Sequence, residues 1–129
     1  MSESTNPEPR RVIVLNRDLL FGSRIRSVLS SLGLEGVFVG STDAFVSRLN
    51  EHRGSTALGI IDMNTAVDWE VIGEAFSQGE NGLAPTLAFG PHVDAVSRRA
   101  AKAAGITRIV SNGQFHGDMS GLIDRYRRR

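Results

Sequence analysis

The feature that most limits how this chain can fold is a rhythm of five short apolar runs, each followed by a stretch whose apolar residues recur every three or four positions. The runs are Val12 to Leu15, Leu34 to Val39, Ala57 to Ile61, Thr86 to Phe89 and Thr107 to Val110. Short apolar runs predict strands, and three- or four-residue spacing predicts helices with one buried face. Strict alternation of the two predicts βα units around a parallel sheet and argues against a bundle or a sandwich.

The helical stretches carry Ile25, Val28, Leu29 and Leu32, then Phe45, Val46 and Leu49, then Trp69, Ile72, Ala75 and Phe76. An alanine-rich stretch from Val93 to Ala104 follows, and Met119, Leu122, Ile123 and Tyr126 mark the last helix. Gly33 and Gly105 stand where two helices should close, because glycine accepts the left-handed conformation of a helix end. Ser41, Thr42 and Asp43 are candidate caps. The wholly apolar third run predicts a central strand covered on both faces.

Residues 1–10 mix Ser, Glu, Asn and two prolines without apolar period, so they read as a flexible tail that leaves 11–129 as a single domain. A chain of 129 residues that is 40% hydrophobic and 22% charged can bury a core unaided. It has no cysteine, which excludes disulfides, thiolate catalysis and Cys-based zinc sites. No stretch is apolar enough for a membrane span and the start lacks a secretory signal, so the expected location is the cytoplasm, with no membrane association. The length is expected to leave no room for an attached DNA-binding output domain. A net charge of +1 gives no general attraction for polyanions, and the basic end from Arg125 to Arg129 reads as a solvated helix end.

Several kinds of site lack support. There is no P-loop, and Gly36 and Gly40 do not form a dinucleotide turn. His52 and His116 fall in separate loops without the spacing of a zinc motif. No cofactor and no metal is expected. In open α/β sheets ligands bind beyond the carboxyl ends of the strands. The residues there are Asn16, Arg17 and Asp18, then Asp62, Met63 and Asn64, then Gly90, Pro91 and His92, and finally Ser111, Asn112 and Gly113.

From Arg11 to Arg127, by the order and spacing of its elements, the chain resembles the receiver domain of bacterial response regulators. The resemblance implies an α/β, flavodoxin-like three-layer sandwich, with a five-stranded parallel sheet in the order 2-1-3-4-5 and five helices, and a place in two-component signalling. That family carries an acid pair after the first strand, a phosphoacceptor aspartate after the third, a Ser or Thr after the fourth, and Lys-Pro after the fifth. Here Asp62 alone keeps the pattern. Asn16 and Arg17 stand at the acid pair, Gly90 at the hydroxyl, and Asn112 with Gly113 at Lys-Pro.

Charge sets the consequence. The family's pocket gathers three carboxylates around Mg²⁺, whereas this corner has one carboxylate and one guanidinium. Arg17, pointing inward, would pair with Asp62 and exclude divalent ions. Alternatively, Asp62 simply accepts hydrogen bonds from loop amides around Asn64 and Thr65.

The leading expectation is a non-enzymatic pseudo-receiver that binds another protein, or a second copy of itself, through its fourth helix, fifth strand and fifth helix. Arg98, Arg99, Lys102, Arg108 and Arg125 supply cations on that face, with Asp94, Asp118 and Asp124 as counter-charges in a symmetric dimer. One alternative keeps Asp62 as a phosphoacceptor nucleophile, with Asp18 helping to hold Mg²⁺. A weaker one is a small nucleic-acid- or ligand-binding domain resting on the basic tail or on His92; Asp94 beside that histidine reads as a helix cap.

Overall fold

The computed structural model describes residues 8–78 and 83–129. Along the chain run β1 (Arg11–Leu15), α1 (Leu19–Ser31), β2 (Glu35–Val39), α2 (Thr42–Glu51), β3 (Thr56–Asp62) and α3 (Trp69–Gln78). They are followed by β4 (Thr86–Gly90), α4 (Ala95–Ala103), β5 (Arg108–Ser111), α5 (Asn112–Gly117) and α6 (Met119–Tyr126). The strands pair in parallel in the order β2-β1-β3-β4-β5, so the expected sheet order holds.

Two-residue alternation along the strands divides the core into two layers. Val12 and Val14 of β1 pack with Ile25, Leu29, Phe115 and Ile123, placing α1, α5 and α6 on one face. Ile13 and Leu15 pack with Phe45, Leu49, Ile72 and Ala101, placing α2, α3 and α4 on the other. All seven residues of β3 are buried, as a central strand requires. Gly33 (φ 74°) and Gly105 (φ 99°) close the turns after α1 and α4 in the left-handed region that their positions predict.

The expected fifth helix is two helices. Ser111 and Gln114 form a reciprocal capping box that starts α5 directly at the end of β5, and Asp118 (φ −147°, ψ 48°) interrupts it before α6. The basic end also differs from a solvated helix end. Arg127 and Arg129 both pair with Asp124 at 3.0 Å. Arg128 donates from its backbone N–H to the Ala57 carbonyl and from Nε to the Thr56 carbonyl, each at 2.9 Å, and it also donates to the Arg53 carbonyl. The last residues therefore lie against the amino end of β3.

Of the expected N-terminal tail, residues 1–7 lie outside the described part, while the Arg10 backbone N–H donates to the Ser55 carbonyl at 3.2 Å. No described helix is long and apolar enough to cross a membrane.

Candidate functional site

Parallel pairing brings the carboxyl ends of the strands to one edge, with Asp62 opposite Phe89 and Gly90 opposite Ser111. Asp62 ends β3 there and is only 2% exposed. Its Oδ1 accepts from the backbone N–H of Asn64 and from Asn64 Nδ2, both at 2.8 Å. Its Oδ2 accepts from Asn16 Nδ2 at 3.0 Å. Asn64 in turn exchanges side-chain hydrogen bonds with Asn112, donating at 2.9 Å and accepting at 3.1 Å. One carboxylate and three amides thus join the ends of β1 and β3 to the start of α5.

The ion pair that an inward-pointing Arg17 would make with Asp62 is absent among the described residues. The Asn16 N–H donates to the Val39 carbonyl, and its side chain turns in beside Gly22. Arg17, next in the chain, is exposed. The partner of Asp62 is therefore a neutral amide and not a guanidinium. The alternative, a carboxylate accepting from the Asn64 loop, is the arrangement found.

Asp18 has structural work of its own. Its Oδ1 accepts from the backbone N–H groups of Leu20 (2.8 Å) and Phe21 (3.1 Å), which caps α1. At Gly90 a Cβ atom would lie 2.7 Å from Met63 Cβ, so Met63 fills the space that a side chain on β4 would need. Between α1 and the Asp62 loop runs a cleft of about 260 Å³ lined by Arg17, Asp18, Phe21, Asp62, Asn64 and Thr65.

A carboxylate at the carboxyl edge of a parallel sheet raises the question of a divalent cation. A hard cation of this kind needs several free oxygen ligands, usually more than one carboxylate. Here both oxygens of Asp62 already accept from amides, Asp18 is turned to the helix start, and an exposed arginine borders the cleft. No group of three or more His, Cys, Asp or Glu side chains arranged for a metal occurs among the described residues. These residues do not fit a divalent cation.

His116 was expected in a loop and lies on α5. Its ring sits 4.4 Å from that of Phe21 and packs edge-on to Phe89 and Phe115, which are themselves stacked at 4.0 Å. Both ring nitrogens are buried without a hydrogen-bond partner. Burial and the Arg24 guanidinium hold its pKa below the usual histidine value, against the opposing pull of Asp62. A histidine in a six-residue helix carries no sequence signal of this burial. His92 is exposed, and Asp94 caps α4 by accepting from the Ser97 N–H at 3.0 Å, as its position predicts. The Ser97 backbone and side chain lower the Asp94 pKa, against a small effect of burial.

Apart from that corner, Arg98, Arg99 and Lys102 of α4 and Arg108 of β5 line one groove of about 360 Å³, together with Thr107 and Ile109. Four of the five expected interface cations thus converge, while Arg125 on α6 is exposed but does not line the groove. Of the proposed counter-charges, Asp94 is engaged at the α4 cap and Asp124 with Arg127 and Arg129. The Asp118 carboxylate lies over Gly121 in the first turn of α6.

No protein-family model matches the sequence, and no curated protein matches it. Solved structures share the fold. The Vibrio cholerae chemotaxis protein CheY4 is 15% identical with a TM-score of 0.73, the match covering 91% of this chain and 98% of that one. The receiver domain of a sensor histidine kinase from Pseudomonas aeruginosa, which has magnesium coordinated in its active-site cleft, is 15% identical with a TM-score of 0.73 over 91% and 96% of the two chains. A CheY-like protein, TadZ, from Pseudomonas aeruginosa is 18% identical with a TM-score of 0.68 over 91% and 98%. The fold is that of the CheY-like receiver domains.

Proposed function

We propose that residues 11–129 form a single pseudo-receiver domain: a non-enzymatic signalling module that binds a protein partner and is not switched by phosphorylation of Asp62. The observation that carries this reading is that both oxygens of the Asp62 carboxylate accept hydrogen bonds, from Asn16 and Asn64. A phosphoacceptor must offer one oxygen as a nucleophile, with a cation or hydrogen-bond donors poised for the incoming phosphoryl oxygens. In this corner amides hold both oxygens, Met63 fills the space at Gly90, and Asn112 is paired to Asn64. With the chemistry replaced and the scaffold kept, the surface is what remains to act.

The test is an amide NMR titration with millimolar Mg²⁺, then with beryllofluoride as the phosphoryl mimic, repeated on Asp62→Asn. The expected result is no shift around Asp62 under either condition. Asp62-dependent shifts that spread to α4 and α6 would make the domain a working switch and overturn the reading.

A further inference from the structure

Beside the edge strand β2 lies a cleft of about 330 Å³, and we propose that it binds a small organic acid, an oxyanion carried on a ring-sized apolar body. The proposal goes beyond the pseudo-receiver reading and does not depend on it. Leu19, Gly22, Ser23 and Arg26 line the cleft from α1, at the i, i+3, i+4 and i+7 positions that share one helix face. Phe38 of β2 faces them, and Asn16 and Arg17 close the end next to β1.

The helix comes close enough to form a cleft because residue 22 is glycine. A Cβ atom there would lie 2.8 Å from Asn16 Oδ1 and 3.8 Å from Phe38 Cε2, so a side chain at this position would enter the space between them.

The charge of the occupant follows from the lining. It contains two guanidinium groups and no carboxylate, and neither Arg17 nor Arg26 makes an ion pair among the described residues. The neighbouring acids are engaged, Asp18 at the start of α1 and Asp62 with Asn16 and Asn64. The Arg26 guanidinium carbon lies 4.3 Å from the centre of the Phe38 ring. A cation seated on a ring is held through its face, which leaves the in-plane N–H donors to meet an oxyanion.

The apolar body follows from what lies between the charges. Phe38 forms one wall, and Leu19 at the rim is 90% exposed, a large aliphatic side chain that an apolar ligand would take out of water. A bare inorganic anion would use the arginines and leave that surface wet. The volume is at the low end for ligand sites, which suits one or two rings and is small for a nucleotide or a long acyl chain. A carboxylate and a phosphate ester share the required chemistry.

The experiment is an amide NMR titration of the full chain with 2-naphthoate and with 2-naphthyl phosphate. Acetate, inorganic phosphate and 2-naphthylmethylamine serve as comparisons. At least one naphthyl acid is expected to shift the amides of Gly22, Ser23 and Phe38 with a Kd at or below about 1 mM, as ligands of this size reach. Both inorganic phosphate and acetate lack the rings and the amine has the wrong charge, so each should bind at least about tenfold more weakly. Arg26→Glu should weaken the naphthyl acid at least about tenfold. Ser23→Trp, which fills the cleft without changing its charge, should abolish binding. Arg99→Glu, on α4 across the sheet, should change nothing, and the amide spectrum of each variant reports its fold.

The order of the two naphthyl acids tells a carboxylic acid from a phosphate ester. Equal affinity for the amine or for the bare anions would overturn the proposal. So would shifts centred elsewhere, no binding below about 10 mM, or affinity unchanged in either Arg26→Glu or Ser23→Trp.

Discussion

Asn16 Nδ2 donates to Asp62 Oδ2 across 3.0 Å, so the end of β1 offers the central carboxylate a neutral hydrogen-bond donor where receivers carry an acid. Asn64 closes the other oxygen from the loop that follows β3. The carboxylate thereby becomes a structural acceptor, and its replacement should be felt in stability.

Asp62→Asn is expected to destabilise the fold by about 1–3 kcal/mol, because one terminus of the new amide is a donor facing the donors of Asn16 or Asn64. Urea denaturation of the variant and the parent measures this. A variant as stable as the parent would mean that the three hydrogen bonds are not what fixes Asp62.

Restoring the acids should recreate a dependence on metal. Asn16→Asp with Arg17→Asp places a second carboxylate about 3 Å from Asp62 and removes the nearby cation. Without metal the variant should lose roughly 1–3 kcal/mol from carboxylate repulsion and lost hydrogen bonding. Millimolar Mg²⁺ should return most of it while leaving the parent's melting temperature unmoved. Thermal melts in chelator and in Mg²⁺ read both, and a parent stabilised by Mg²⁺ would contradict the proposed function.

At β4 the test is steric. Gly90→Ser should cost about 1–3 kcal/mol by overpacking, since its Cβ would meet Met63. Combining it with Met63→Ala should recover part of the loss, and a double-mutant cycle on unfolding free energies should give a coupling of about 1 kcal/mol or more. Strict additivity would show that Met63 is not the obstacle.

His116 makes stability depend on pH in a defined direction. Its folded pKa is lowered, so the unfolded chain takes up its proton at higher pH than the folded one. The stability gained by burying the neutral ring is complete above the unfolded value, near 6.5, and is lost as pH falls through the folded value. His116→Phe keeps a ring in the aromatic cluster without the titration, so its urea midpoint should fall less steeply between about pH 7 and 5. Parallel slopes in the two proteins would assign the acid sensitivity to other groups.

The fold was open to reading because burial leaves a periodic mark. Alternation of Val12 and Val14 against Ile13 and Leu15, and the all-apolar run through Ala57 to Ile61, record which atoms avoid water. Gly33, Gly105 and Asp94 were placed by local backbone chemistry, which acts over a few residues. The corner was harder. The departures from the receiver pattern at 16, 17, 90 and 112 are read from residue types alone, but which of Asn16 and Arg17 meets Asp62 depends on side-chain direction at one position. The Asn64 to Asn112 pair joins residues 48 apart with no compositional trace. His116 was missed for the same reason, as was the break at Asp118, where a capping box at Ser111 and Gln114 starts a helix earlier than the apolar stripe suggests.

The central strand is tied by side chains at both ends: Arg128 grips the carbonyl of Thr56 at the start of β3, and the amides of Asn16 and Asn64 grip Asp62 at its finish. A strand fastened at both ends resists fraying from either one, so the amide hydrogens of β3 should be among the last to exchange with solvent.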